Sequence, residues 1–179
     1  MAPPFPLCCL TGLVSADAAG TAAAFFTGLA SGGALTALSQ VAPKYADPQA
    51  PLAELLADHK QRQQVSRKIQ KRFVVGGLVA AAAAAGINKE KEAAVPLALS
   101  ATLSAASVTL TVFLIRPLNE SLEAAAAAPA GKKAAGAEDE AATRGMLRQY
   151  VTLSTARTAI ATLAFGSALC GVLLLNKKK

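Results

Sequence analysis

Tyr150, Ser154 and Arg157 stand four and three residues apart in LRQYVTLSTART, so a helix through them carries a phenol, a hydroxyl and a guanidinium on one face, which Ala161 continues. Arg157 is the single charge in an otherwise neutral turn. A cation there is costly unless it faces a cavity, a partner or lipid headgroups, and snorkelling toward the preceding loop is the alternative. Asn119 and Glu120 in RPLNESL fall at the same end of their helix and are the expected neighbours. Asp17 belongs to the opposite end of the first apolar run and is a poor partner. His59 is the single histidine. It lies on an amphipathic stretch where Leu52, Leu55 or Leu56, Val65 and Ile69 mark the buried stripe. An imidazole accepts protons near neutral pH, which makes His59 a candidate base, although a surface or interfacial histidine is the commoner outcome.

A second polar stripe, Ser100, Ser104, Ser107 and Thr111, gathers four hydroxyls at helical spacing. They either bond back to their own helix carbonyls and to a neighbouring helix, or line a polar pocket. Cys8, Cys9 and Cys170 lack metal-ligand spacing, and one histidine cannot build a His-rich iron, copper or zinc site. No Gly-rich dinucleotide loop is present. No metal and no cofactor are therefore expected. Cys8 and Cys9 are palmitoylation candidates, against the plain reading of small buried thiols.

These residues must be positioned by helices. The 179 residues give room for one domain, and 53% are hydrophobic, much of that alanine. The net charge of +7 comes from basic residues that flank apolar runs, with no aromatic platform beside them, so the expected partner is a lipid bilayer rather than nucleic acid. Four stretches approach the roughly 20 apolar residues that a crossing needs, at about 12–40, 70–88, 93–115 and 150–175. The fold expected is all-α: a four-helix transmembrane bundle in a single membrane domain. Its second helix starts outside the membrane near Pro51, and its third ends sharply at Arg116 and Pro117. Spans two and three are joined only by Lys89, Glu90, Lys91 and Glu92, which forces an antiparallel pair.

Residues 123–143 mix alanine with charges, Pro and Gly, and are expected to form a long disordered loop. Leu7 to Val14 with Ala16-Asp17-Ala18 has the competing look of a signal core and cleavage site, without a basic region before it. Basic residues favour cytoplasmic long loops in an endomembrane such as the endoplasmic reticulum. Gly20, Ala24, Gly28 and Gly32 recur every fourth residue, a flat face for packing within the chain or against a partner helix.

Three segments together resemble the anthrone oxygenase-like family of four-span membrane proteins: GLASGGALTALSQVAP ending at Pro43, the exit RPLNESL with its Pro-x-Asn pattern, and LRQYVTLSTART. In that family the last segment carries an aromatic residue followed seven positions later by arginine, matched here by Tyr150, which stands where Trp is usual, and Arg157. The resemblance implies oxidation of an anthrone-type aromatic polyketide to an anthraquinone with O2, without metal or flavin. It implies a site in which Arg157, Tyr150 and Asn119 hold developing oxyanions and His59 serves as base. A non-catalytic structural or accessory subunit of a membrane assembly is the alternative. A small-molecule carrier is less attractive, because paired intramembrane charges and an inverted repeat are not visible.

Overall fold

The computed structural model describes residues 15–88, 91–127 and 137–177, those at 65–71, 91 and 137 by their backbone alone. Every regular element among them is helical: α1 (Ala16–Ala46), α2 (Leu52–Ile87), α3 (Lys91–Leu110), a π-helical turn (Thr111–Ile115), α4 (Arg116–Ala127) and α5 (Ala137–Asn176). Ser15 opens α1, its Oγ accepting from the Ala18 N–H at 3.2 Å, and Asp17 adds favourable charge to the first turn. Pro51 starts α2, as its position predicts. It has no N–H to leave unsatisfied, and its carbonyl accepts from Glu54 and Leu55 at 3.0 and 3.1 Å.

The third passage departs from expectation at its end. The chain does not stop at Arg116 and Pro117 but runs on as α4. A proline inside an α-helix lacks a donor and collides with the carbonyl four residues back. Here the π-turn widens the coil just before it, with the Arg116 N–H reaching Thr111 O five residues back, and Pro117 is accommodated. The expected loop also shrinks. Glu123–Ala127 and Ala137–Thr143 are helical, leaving 128–136 outside the described residues. Alanine has the highest helix propensity, and Glu138, Asp139 and Glu140 sit where the α5 dipole favours anions. Those two terms outweigh the missing apolar face.

The fold divides into two compact units. The first gathers the N-terminal part of the chain through Ser31, Phe73–Ala106 and the segment from Ile160 onward. Its core is made of alanine: Ala23, Ala81 and Ala168 are fully buried against one another. Glycines let backbones approach closely there. A Cβ on Gly28 would stand 3.0 Å from the Phe165 ring, one on Gly77 2.8 Å from Thr27 Cγ2, and one on Gly171 2.6 Å from Leu97 Cγ. Two glycines of the regular stripe, Gly20 and Gly28, thus pack against side chains of this same chain, while Gly32 faces open space. None of the described glycines has positive φ, so close approach rather than turn geometry explains these contacts.

Meanwhile Phe25, Val75, Val79, Val95, Leu99, Leu163 and Leu173 of the same unit point outward. Among the described residues three helical stretches, Ala16–Ala46, Glu92–Ala127 and Glu138–Asn176, are long and apolar enough to cross a membrane, and Arg72–Ile87 is a shorter apolar one. An apolar exterior around small-residue contacts is compatible with an integral membrane protein.

The second unit comprises Gly32–Arg72 and Ser107–Ala159. Large side chains build its core: Val41, Tyr45, Leu55, Leu56, Leu122 and Leu147. Arg144 fastens the start of α5, pairing with Glu140 at 2.9 Å and donating to the Ala50 carbonyl at 2.9 Å.

Overfilling the tightest contact of the first unit should show in stability. Gly171→Val is expected to lower the thermal unfolding midpoint in detergent by the equivalent of about 1–3 kcal/mol. Gly166→Ala, where a Cβ meets nothing within 4 Å, should leave the midpoint unchanged or slightly raised.

Candidate active site

The second unit brings the four sequence-derived candidates together, in two ranks. A cavity of about 590 Å³ is lined by Gly33, Ala34, Thr36, Ala37, Leu38, Gln40 and Val41 of α1, by Asp58, Gln61, Arg62 and Gln63 of α2, and by Tyr150, Ser154 and Arg157 of α5. That volume is in the range of small-molecule sites. Tyr150 and Arg157 are on the wall, as the face they share on α5 requires. Asn119 and His59 are not; they lie one layer behind it.

His59 is buried, correcting the expectation of a surface or interfacial histidine. Its position on the inward stripe of α2, beside Leu55 and Leu56, puts it into the core. Its ring meets that of Tyr150 edge to face, centroids 4.7 Å apart and planes at 90°. The Tyr45 hydroxyl lies 3.3 Å from its Nδ1. The three rings close on one another, Tyr45 and Tyr150 being 6.4 Å apart.

Gln63 connects the two ranks. One helical turn beyond His59 and itself buried, it donates from Nε2 to Asn119 Oδ1 at 3.1 Å and to the Tyr150 hydroxyl oxygen at 3.2 Å. Both amide protons are used, so the Tyr150 oxygen is an acceptor toward Gln63 and its own proton is directed elsewhere. Asn119 therefore acts on Gln63 rather than facing the cavity.

The cavity's charges are arranged unevenly. Arg62 Nε meets Asp58 Oδ2 at 2.8 Å, and its Nη1 donates to Gln40 Oε1 at 2.9 Å. Lys44 stands 4.0 Å from the same carboxylate. Arg157 has no hydrogen bond or ion pair with any described residue. The hydroxyl stripe of α3 takes no part in the lining. Ser100, Ser104 and Ser107 are buried, and Thr111 bonds back to Ser107 O at 2.8 Å. Among the described residues no three His, Cys, Asp or Glu side chains gather as a metal site requires.

Gln63, Tyr45 and the Asp58–Arg62 pair were not found from sequence. The last was legible in principle as opposite charges at i and i+4, and Gln63 as a polar residue one turn after His59 on a buried stripe.

Helices with lipid-compatible exteriors and a polar, arginine-bearing cavity describe an all-helical protein compatible with a membrane. The anthrone oxygenase family model matches residues 63–167. That is more than half of the chain, which therefore belongs to the anthrone oxygenase family. Gln63, Asn119, Tyr150, Ser154 and Arg157 fall inside the matched segment, and Tyr45, Asp58, His59 and Arg62 precede it. No curated protein and no solved structure matches the chain.

The amide bridge can be tested by a double-mutant cycle. Gln63→Leu, which leaves Asn119 Oδ1 buried without its donor, should cost about 1–3 kcal/mol of stability in detergent. Gln63→Leu combined with Asn119→Leu should cost less than the sum of the two single changes, because neither polar group is then stranded. Strict additivity would show that the bridge carries no coupling.

Proposed function

We propose that the chain is a membrane-bound oxygenase that converts an anthrone-type aromatic polyketide to the anthraquinone with O2, without metal or flavin. The observation that carries this reading is the cavity that presents the Tyr150 hydroxyl and the Arg157 guanidinium on one wall. Family membership supplies the oxygenase type of chemistry.

The methylene of an anthrone lies between two aryl rings, conjugated to a ketone, and its proton is acidic enough for a positioned base. On deprotonation, charge flows to the ketone oxygen, where the two donors of α5 hold it; such fixed donors act strongly where water is excluded. The carbanion passes an electron to O2, a carbon–oxygen bond forms, and the peroxide takes a proton. Loss of water, with the remaining carbon-bound hydrogen, leaves the second ketone. One oxygen atom ends in the quinone and the other in water.

Gln63 and Asn119 keep Tyr150 oriented in this scheme. Two side chains compete as proton acceptor: His59, one ring behind the wall, and Asp58, on it.

The proposal includes four crossings of an endomembrane bilayer. Arg72–Ile87, the membrane part of α2, spans about 24 Å at 1.5 Å per residue. That falls short of a roughly 30 Å hydrocarbon core, so Arg72 would extend to the headgroups.

Membranes from cells expressing the chain, supplied with emodin anthrone under air, are expected to form the quinone faster than membranes lacking it. Arg157→Ala should reduce the rate by about 10²–10³. His59→Gln and Asp58→Asn separate the two bases, since only loss of the true acceptor should cost about 10²-fold or more. Quinone formation no faster than spontaneous oxidation, from emodin anthrone and from its ring-carboxylated analogue alike, would sink the enzyme reading.

A further inference from the structure

Four threonines of α5 follow a single rule. Thr143, Thr152, Thr155 and Thr158 each donate to the carbonyl four residues back, at 2.8–3.2 Å, and Thr162 meets Ser31 at 2.9 Å. Ser154 does neither. It is 5% exposed, and its Oγ has no partner among the described residues. It lines the cavity beside Arg157. A buried hydroxyl that forgoes the carbonyl of its own helix leaves a hydrogen bond unmade unless something else fills the site.

Arg157 presents the same deficit in charge. The other guanidinium on the wall, Arg62, is matched by Asp58 and Gln40. Arg157 has no such match among the described residues, and a half-buried cation without a counter-ion is unfavourable. An anionic group on a bound ligand supplies one and leaves the guanidinium's other N–H groups for the developing ketone oxyanion. Ser154 and Arg157 are three residues apart on α5, a rise of about 4.5 Å, and helical side chains lean toward the N-terminus. The guanidinium of Arg157 and the hydroxyl of Ser154 thus stand on the same wall of one cavity, one helical turn apart, as a grip on the two oxygens of one carboxylate requires.

The α1 side of the cavity supplies Gly33, Ala34 and Ala37, and a Cβ on Gly33 would meet nothing within 4 Å. Small residues facing a row of donors leave a slot suited to a flat ring system.

We infer that the ligand of this cavity is a planar aromatic molecule that enters already carrying a carboxylate, gripped by the Arg157 guanidinium and the Ser154 hydroxyl. The inference rests on reading the cavity as the substrate site and narrows the substrate class to acidic polyketides.

Binding of an unreactive quinone tests it without requiring turnover. Anthraquinone-2-carboxylate and its neutral carboxamide would be titrated into the purified full-length chain in detergent, with ligand absorbance or fluorescence as the readout. The carboxylate is expected to bind about tenfold more tightly or better. Arg157→Met should abolish that preference, Arg157→Lys should keep part of it, and Ser154→Ala should weaken the carboxylate alone by a few fold. A monodisperse chromatographic profile for each variant separates lost binding from lost folding. Equal affinity for the two ligands, or binding of neither, would overturn the inference. So would displacement of the carboxylate by phosphatidic acid micelles or inorganic phosphate at lower concentration, which would mark a phosphate site instead.

The outcomes remain separable from those for emodin anthrone. A carboxylate preference with oxidation of neither emodin anthrone nor its ring-carboxylated analogue would keep the acidic ligand and remove the oxygenase reading. Oxidation without a preference would do the reverse.

Discussion

One amide nitrogen on Gln63 must satisfy two acceptors on two other helices, the buried Asn119 Oδ1 on α4 and the half-buried Tyr150 hydroxyl on α5. In a poorly hydrated interior each of these groups would otherwise be stranded, so three helices have one arrangement in which all are paired. That arrangement fixes the Tyr150 ring, against which His59 packs edge-on with Tyr45 beyond it. The wall of the cavity is the outer surface of this network. Its geometry is inherited from buried partners rather than from the wall residues themselves.

The two units meet the packing problem differently. Alanine and glycine dominate the first, whose exterior is apolar; in a lipid surround the hydrophobic incentive for helices to associate is small, and close backbone approach supplies dispersion contacts instead. Leucine, valine and tyrosine fill the second, with charged residues such as Lys44, Asp58 and Arg144 around them. Its core resembles that of a protein in water, where burying large side chains stabilises directly. The polar cavity lies in this second kind of environment.

Much of this was legible in the sequence, because spacing alone decides it. Pro51 marked the start of α2, the short Lys89–Glu92 link marked the end of one apolar helix and the start of another, and the interval from Tyr150 to Arg157 placed both side chains on one face. The face itself could be read; what it faced could not. Nothing local to Gln63 says that its amide reaches residues 56 and 87 positions away, and the burial of His59 depends on those same distant neighbours. The sequence also misled where two local signals conflicted. Arg116-Pro117 has the form of a helix stop, and the alanine-rich stretch after it has the composition of a loop. Yet a widened turn accommodated the proline, and alanine's propensity then carried the helix onward.

That widened turn sets the phase of everything after it. In an unbroken α-helix each residue advances the side-chain direction by about 100°. The π-turn at Thr111–Ile115 takes up one residue more than an α-turn would. Without that extra residue, the face carrying Ile115, Asn119 and Leu122 would be rotated by roughly that angle relative to Ser107, and Asn119 would point away from Gln63. The irregularity thus acts as a phase correction. It lets one continuous passage present its buried serine and its buried asparagine each to the neighbours it needs, which a uniform helix of the same sequence could not do.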